Sequence, residues 1–158
     1  MGVRDAFSDE EWKQVKDLPS DAAMLVMIAG KTGPIQMTKE SAATAKALVD
    51  ARDSADPLVA AVVADLLDHD KSDKPTKPEG VTTREQMHDA LLASLRSGWE
   101  LIGQKAPESA SGYAQFVVAL CHKVAEAAKE GFGGPRVSDE ETAAIAEVEA
   151  TLKPAATS

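Results

Sequence analysis

The chain has 158 residues, of which 44% are hydrophobic and 27% charged, so it is about one globular domain long and is neither disordered nor membrane-embedded in composition. Its formal net charge of −9 disfavours binding to nucleic acid or to an anionic membrane surface, because both would repel it. The single cysteine, Cys121, excludes an internal disulfide framework, and no apolar run is long enough to span a bilayer, so we expect a cytoplasmic protein.

The first helix is predicted from its start signals. Ser8 and Glu11 have the spacing of a capping box, in which each side chain accepts a hydrogen bond from the other residue's amide. Phe7 and Trp12 have the spacing of a hydrophobic staple around the same start. We predict that this helix is short and ends before Pro19, because proline cannot continue a helix.

Three more helices are predicted before the middle of the chain. Ser20 is the expected cap of an apolar helix over 22–29, and Thr38 is the expected cap of a helix over 39–52. Asp56-Pro57 starts the fourth, because proline is favoured in a first helical turn. The apolar run 58–67 could also be a buried strand, but its length and its start signal favour a helix.

Residues 69–82 are rich in proline, glycine and charge, which predicts an exposed linker. Beyond it, Thr83 and Gln86 repeat the capping-box spacing, and a stripe at steps of four and three predicts a long amphipathic helix through Met87, Leu91, Leu95, Trp99 and Ile102. A sixth helix is expected from Ser109 or Ser111 to 130, and Ser138 caps a seventh that ends near Leu152. Residues 153–158 are expected to form a flexible tail.

The predicted fold is therefore all-α, a single compact bundle of about seven helices over 1–158, with an interior built mainly by the second, fourth and sixth. Its halves, 7–68 and 83–152, share one plan, in which an apolar helix leads through a Gly-Pro loop to a hydroxyl-capped helix. The loops contain Gly33-Pro34 and Gly134-Pro135. The shared plan has two explanations, an internal duplication or a coincidence between turns that use the same residues.

Two parts of the chain resemble a family of uncharacterised bacterial helical proteins, to which no activity is attached. They are the start, with Glu10-Glu11-Trp12 and Pro19, and the segment 124–141, with Gly-Phe-Gly-Gly-Pro-Arg-Val-Ser-Asp-Glu-Glu at its end. More distantly, the plan helix-Gly-x-Val-Ser-x-x-Glu-helix is similar to tellurite-resistance TerB-like bundles. That resemblance implies metal binding through acidic loop residues. Here Gly33, Gly133 or Gly134 stand where such loops usually carry aspartates, which argues against an inherited metal site.

The candidate ligand-binding residues lie in the second Gly-Pro loop, at Gly131, Gly133, Gly134 and Arg136. Glycines leave backbone amides accessible, the following helix start is a positive end, and an arginine can clamp an anion. The three acidic residues 139–141 would repel an anion from that end. A turn that lets two helices pack closely is therefore the favoured interpretation, and a ligand site is the alternative.

Two weaker metal candidates combine acids with a histidine. One is Asp65, Asp68, His69 and Asp70 at a predicted helix end; the other is Glu85 with His88, at the i,i+3 spacing of di-iron bundles. Each set is short of ligands, and a polar helix end or a surface pair explains it as well. No metal and no cofactor is therefore expected.

No catalytic motif is present in the sequence. Cys121 and His122 are neighbours on a predicted helix and point about 100° apart, so they do not form a nucleophile pair. We therefore expect a non-enzymatic interaction or accessory protein, with a protein partner or a second copy of itself. The alternative is a stress-response protein that binds a metal or a small ligand.

Overall fold

The computed structural model of the chain describes residues 3–29, 34–68, 80, 82–129 and 139–152, with the backbone alone at 34–41 and 127–129. This part of the chain forms six α-helices and no strand, which confirms the all-α class with six helices instead of the expected seven. The helices are α1 (Asp9–Ala29), α2 (Pro34–Ala51), α3 (Pro57–Leu67), α4 (Arg84–Lys105), α5 (Ala110–Lys129) and α6 (Asp139–Thr151), with 3-10 turns at Val3–Ala6 and Pro107–Ser109.

The missing helix is explained by Pro19. The prediction that it separates two helices is wrong, because α1 continues through it as one helix of 21 residues. Proline has no N–H, so the carbonyl of Val15, one turn earlier, loses its helical partner. The hydroxyl of Tyr113 on α5 donates to that carbonyl over 2.6 Å and replaces the lost bond. A tertiary contact therefore keeps α1 continuous.

The start of α1 follows the prediction. The Ser8 amide donates to Glu11 Oε2 over 2.8 Å, and the Glu11 amide donates to Ser8 Oγ over 3.2 Å. The rings of Phe7 and Trp12 are both buried, with centroids 5.7 Å apart. Lys105 on α4 also donates to Glu11, over 2.8 Å, and this bond, together with the bond from the Ser8 amide, lowers the pKa of Glu11.

The other helix starts divide into one correction and two confirmations. Thr38 does not cap α2, because the helix already begins at Pro34, where a proline fits the first turn. Asp56 caps α3 as predicted, accepting from the amides of Leu58 and Val59. Thr83 caps α4 in a capping box with Gln86.

One core joins the two predicted halves. α1 packs against α4, α5 and α6, and α2 packs against α5, so the main contacts cross from one half to the other. The fully buried large side chains come mostly from α1, α3, α4 and α5: Val15, Leu18, Leu25, Val26, Leu58, Val59, Val62, Leu95, Ile102, Tyr113 and Leu120. Gly98 brings α4 close to α1, since a Cβ there would lie 3.1 Å from the Gln14 carbonyl oxygen.

Several predicted features fall outside the described residues. They are most of the 69–82 linker, both glycine-rich loops, the Ser138 cap and the 153–158 tail. The internal duplication therefore stays a prediction. Among the helices that the structure describes, none combines the length and the apolar character needed to cross a membrane.

Candidate functional site

The candidate ligand-binding residues of the second Gly-Pro loop fall in a part of the chain that the structure does not describe. Gly131, Gly133, Gly134 and Arg136 all lie outside the described residues. The same holds for His69 and Asp70 of the first metal candidate.

The remaining metal candidates are separated from one another and partly engaged in other contacts. Asp65 accepts a hydrogen bond from the indole Nε1 of Trp12 over 2.7 Å. Asp68 ends α3, where its amide donates to the Asp65 carbonyl over 3.3 Å. Glu85 is exposed, and His88 contacts Glu147 on α6 instead. Within the described ranges, no group of three or more histidine, cysteine or acidic side chains could hold a metal ion.

The largest of three described surface grooves lies between α1 and α3, with a volume of about 660 Å³. We call it the α1–α3 groove. Its residues recur at helical spacing, so each helix contributes one face. They are Arg4 from the first turn, Asp9, Trp12, Lys13 and Lys16 from α1, and Ala61, Ala64 and Asp65 from α3.

Trp12 organises one end of the α1–α3 groove. Its indole is anchored by Asp65, and the guanidinium of Arg4 lies 5.3 Å from the ring centroid, at cation–π distance. Arg4 also donates to the Phe7 carbonyl over 2.8 Å and pairs with Asp9. Both acids of the groove are thus held by neighbouring donors, and the charged lining has three basic against two acidic side chains. The bases are engaged as well, since Arg4 pairs with Asp9 and Lys13 Nζ lies 2.6 Å from Asp17 Oδ2.

A second groove, of about 430 Å³, follows the packing of α2 against α5, and we call it the α2–α5 groove. Phe116 and several alanines give it an apolar floor. Asp50 and Lys123 face each other at one place, with 3.9 Å between Oδ2 and Nζ. Ser54, Asp56 and Gln115 add further polar groups to the lining.

Asp56 forms part of this groove while it caps α3, which gives the first prediction. Asp56→Ala should lower the free energy of unfolding by about 1 kcal/mol, because the amides of Leu58 and Val59 lose their acceptor. Asp56→Asn should retain most of the stability, since asparagine caps helices as well. Urea denaturation followed by circular dichroism measures both. Equal losses for the two variants would contradict the capping role, and Asp53→Ala, on the exposed preceding turn, is the matched control.

The third groove lies where α6 meets α5, and its volume is about 340 Å³. His122 on α5 and Glu149 on α6 line it, with 3.9 Å between Nε2 and Oε1. On the other side of α6, His88 Nε2 of α4 lies 2.7 Å from Glu147 Oε2. Both described histidines therefore face glutamates of the same helix.

Three groups with a raised pKa lie away from these grooves. Burial raises the pKa of Asp21 to about 6, and burial raises the pKa of Cys121 to about 12. Burial also raises the pKa of the Tyr113 hydroxyl well above its ordinary value. None of the three lines any of the grooves described above. Cys121 is fully buried.

The comparisons give this fold no relative, because no family model, no curated protein and no solved structure matches the chain. What the fold and the grooves define is a class, an all-α protein of six described helices with shallow, mixed-charge grooves between them. The sequence analysis did not single out the α1–α3 groove. Its signal was the i, i+3, i+4, i+7 spacing from Asp9 to Lys16, which combines charged residues with a tryptophan.

Proposed function

We propose that the protein is a non-enzymatic interaction protein that binds an acidic segment of a partner protein in the α1–α3 groove. The observation that carries this proposal is the charge of the groove. Arg4, Lys13 and Lys16 line it in a chain whose net charge is −9. Electrostatic complementarity of this kind steers association and fixes the register of the partner.

The shape of the groove suits a polypeptide segment. Ala61 and Ala64 make the α3 side low, so a backbone can approach closely, while Trp12 closes one end with a buried, anchored indole. Both sides belong to helices packed on the common core, and such rigid elements need little ordering when a partner binds. A partner segment would supply carboxylates that compete with Asp17 for Lys13, and small or apolar side chains for the alanines.

The separation of the raised-pKa groups from the grooves supports binding over catalysis. Active sites usually bring displaced pKa values into a cleft, because acid and base catalysis needs groups tuned to its pH. Asp21, Tyr113 and Cys121 contribute to the interior of the bundle instead. The grooves offer recognition groups, namely ammonium, guanidinium and apolar surface.

The test is capture of partners from a lysate of the organism that makes the chain, with the full chain as bait and complexes resolved by mass. Ala64→Trp should abolish capture, because Ala64 is exposed and a large ring there would fill the groove. Lys13→Glu should weaken capture by about tenfold or more, since a rim charge becomes repulsive.

Matched controls make the result specific. Ala93→Trp and Lys46→Glu introduce the same changes at exposed positions of α4 and α2, outside the three grooves, and should capture the same proteins as the unmodified chain. Capture that survives Ala64→Trp contradicts the proposed groove. Recovery of the chain alone, under several growth conditions, contradicts the proposed function.

A second candidate is a small-ligand protein that uses the α2–α5 groove. Asp50 and Lys123 are 3.9 Å apart, too far for a direct hydrogen bond, and they offer one group for an ammonium and one for a carboxylate above an apolar floor. Free amino acids are the probes. A ligand at 100 times its Kd should stabilise the protein by about 2.7 kcal/mol, and an unchanged melting temperature with all of them contradicts this candidate.

A further inference from the structure

We propose that α6 is a pH-sensitive latch, paired with the bundle through His88 and His122 at its two edges and loosened when His88 loses its proton. The latch is independent of the proposed partner binding, because α6 contributes no residue to the α1–α3 groove. Its basis is the placement of the two imidazoles on different helices and of their partners on one helix.

The register of α6 puts its glutamates on opposite edges. Glu147 and Glu149 are two residues apart, so their side chains point about 200° apart around the helix axis. Val148 lies between them and is fully buried. One glutamate therefore reaches α4 and the other reaches α5, while the apolar face of α6 packs into the bundle between them.

Each of the two imidazoles lies close to an acidic side chain of α6. Among the described residues, His88 contacts Glu147 across the interface and Asp89 on its own helix, with 3.2 Å between Nδ1 and Oδ1. His122 faces Glu149, and no described ion pair joins either ring to α1, which also packs against α6. The charged groups that act on the His88 ring, Glu147 and Asp89, are both acids and favour its protonated form.

The direction of the pH effect follows from the pKa of His88. Burial alone lowers the pKa of its ring, but the hydrogen bonds to Glu147 and Asp89 outweigh burial, and the net pKa is raised. A raised pKa in the docked state means that the docking contribution is complete below the unperturbed histidine pKa of about 6.5. It is lost as the pH rises through the folded value. Raising the pH should therefore release α6.

The release would uncover a defined surface. The buried residues of α6 are Glu141, Ala144, Ile145 and Val148, so the helix covers apolar surface of the bundle. Cys121, the only thiol of the chain, is fully buried near this interface, and the charge of Glu149 adds to the effect of burial on its pKa. A loosened α6 gives Cys121 a route to solvent, which makes its thiol an internal reporter.

The experiment is amide hydrogen exchange of the full chain at pH 6.0 and pH 8.5, with each rate divided by the intrinsic rate of the same peptide. The protection of 139–152 should fall about threefold to tenfold between these pH values, as expected for a partly exposed ion pair, and the protection of 57–67 should fall less. Labelling of Cys121, divided by the rate for the unfolded chain, should rise by the same factor.

The variant His88→Gln/His122→Gln keeps polar side chains at both positions but cannot titrate, so its α6 protection should be the same at both pH values. His69→Gln is the matched control for removal of a histidine and should keep the pH dependence. Both replaced side chains are partly exposed, which favours folding of the variant, and His88→Gln alone should also remove the pH dependence. An α6 protection that does not fall at pH 8.5, or that falls equally in the double variant, overturns the latch.

Discussion

Replacing Tyr113 by phenylalanine is expected to lower the free energy of unfolding by about 2 kcal/mol, although the change removes a single oxygen atom. The Tyr113 hydroxyl donates to the Val15 carbonyl over 2.6 Å, and both residues are fully buried. Without the hydroxyl, that carbonyl loses this donor, and Pro19 has no amide to replace it one turn later. A buried polar group without a partner costs about 1–3 kcal/mol. The ring itself stays and keeps its edge-to-face contact with Phe116, so packing is little changed.

The reason for the size of this effect is Pro19. In an uninterrupted helix, the amide of residue 19 would donate to the Val15 carbonyl, and a lost tyrosine hydroxyl would then cost less. The variant Pro19→Ala restores that amide. In the Pro19→Ala background, Tyr113→Phe should therefore cost less than about 1 kcal/mol.

A double-mutant cycle measures this coupling. The four proteins are unfolded in urea and followed by circular dichroism, and the coupling energy is the difference between the two costs of Tyr113→Phe. We expect about 1 kcal/mol or more. Equal costs in the two backgrounds would show that the tyrosine does not compensate for the proline.

The second large expected effect is a gain in stability. Asp21→Asn should raise the free energy of unfolding at pH 8 by about 1–2 kcal/mol, since a half-buried charge disappears. Burial raises the pKa of Asp21 to about 6, against the hydrogen bond from Ser94, and the neighbouring charge of Asp17 raises it further. Its Oδ2 atom is buried and accepts no hydrogen bond within the described part of the chain.

The Asp21 carboxyl should make the free energy of unfolding fall as the pH rises. The folded state holds the Asp21 proton up to about pH 6, whereas the ordinary carboxyl pKa is 3.8. Between these values the folded state binds more protons than the unfolded state, so this group makes stability fall as the pH rises. The loss is complete above about pH 6 and amounts to about 2–3 kcal/mol at most. Asparagine does not ionise, so the Asp21→Asn variant is free of this loss of stability.

Unfolding free energies at pH 4, 5, 6, 7 and 8 test this prediction as a difference between the Asp21→Asn variant and the unmodified chain. The difference should grow from pH 4 to pH 6 and then stay constant. Glu100→Gln removes an exposed carboxylate from α4 and is the control, with a small difference at every pH. A difference for Asp21→Asn that does not change with pH would contradict the buried-charge account.

The sequence by itself determined the helical class and most helix starts. The capping boxes at Ser8 and Thr83 and the cap at Asp56 formed as predicted, because a cap depends on residues within one turn of chain. The apolar periodicity also identified buried positions such as Leu91, Leu95 and Ile102 on α4, since one face of an amphipathic helix has to be buried.

Only the tertiary structure decided the rest. α1 continues through Pro19, and the Val15 carbonyl there accepts from Tyr113, 98 residues later, a contact that no local pattern reveals. The α1–α3 groove and the two histidine–glutamate pairs likewise join segments that are far apart in the chain, such as His88 and Glu147. Helix caps form between residues within one turn of the chain, so the local sequence predicts them. Grooves and compensating hydrogen bonds form where two helix faces meet, and the packing of the whole core decides which faces meet.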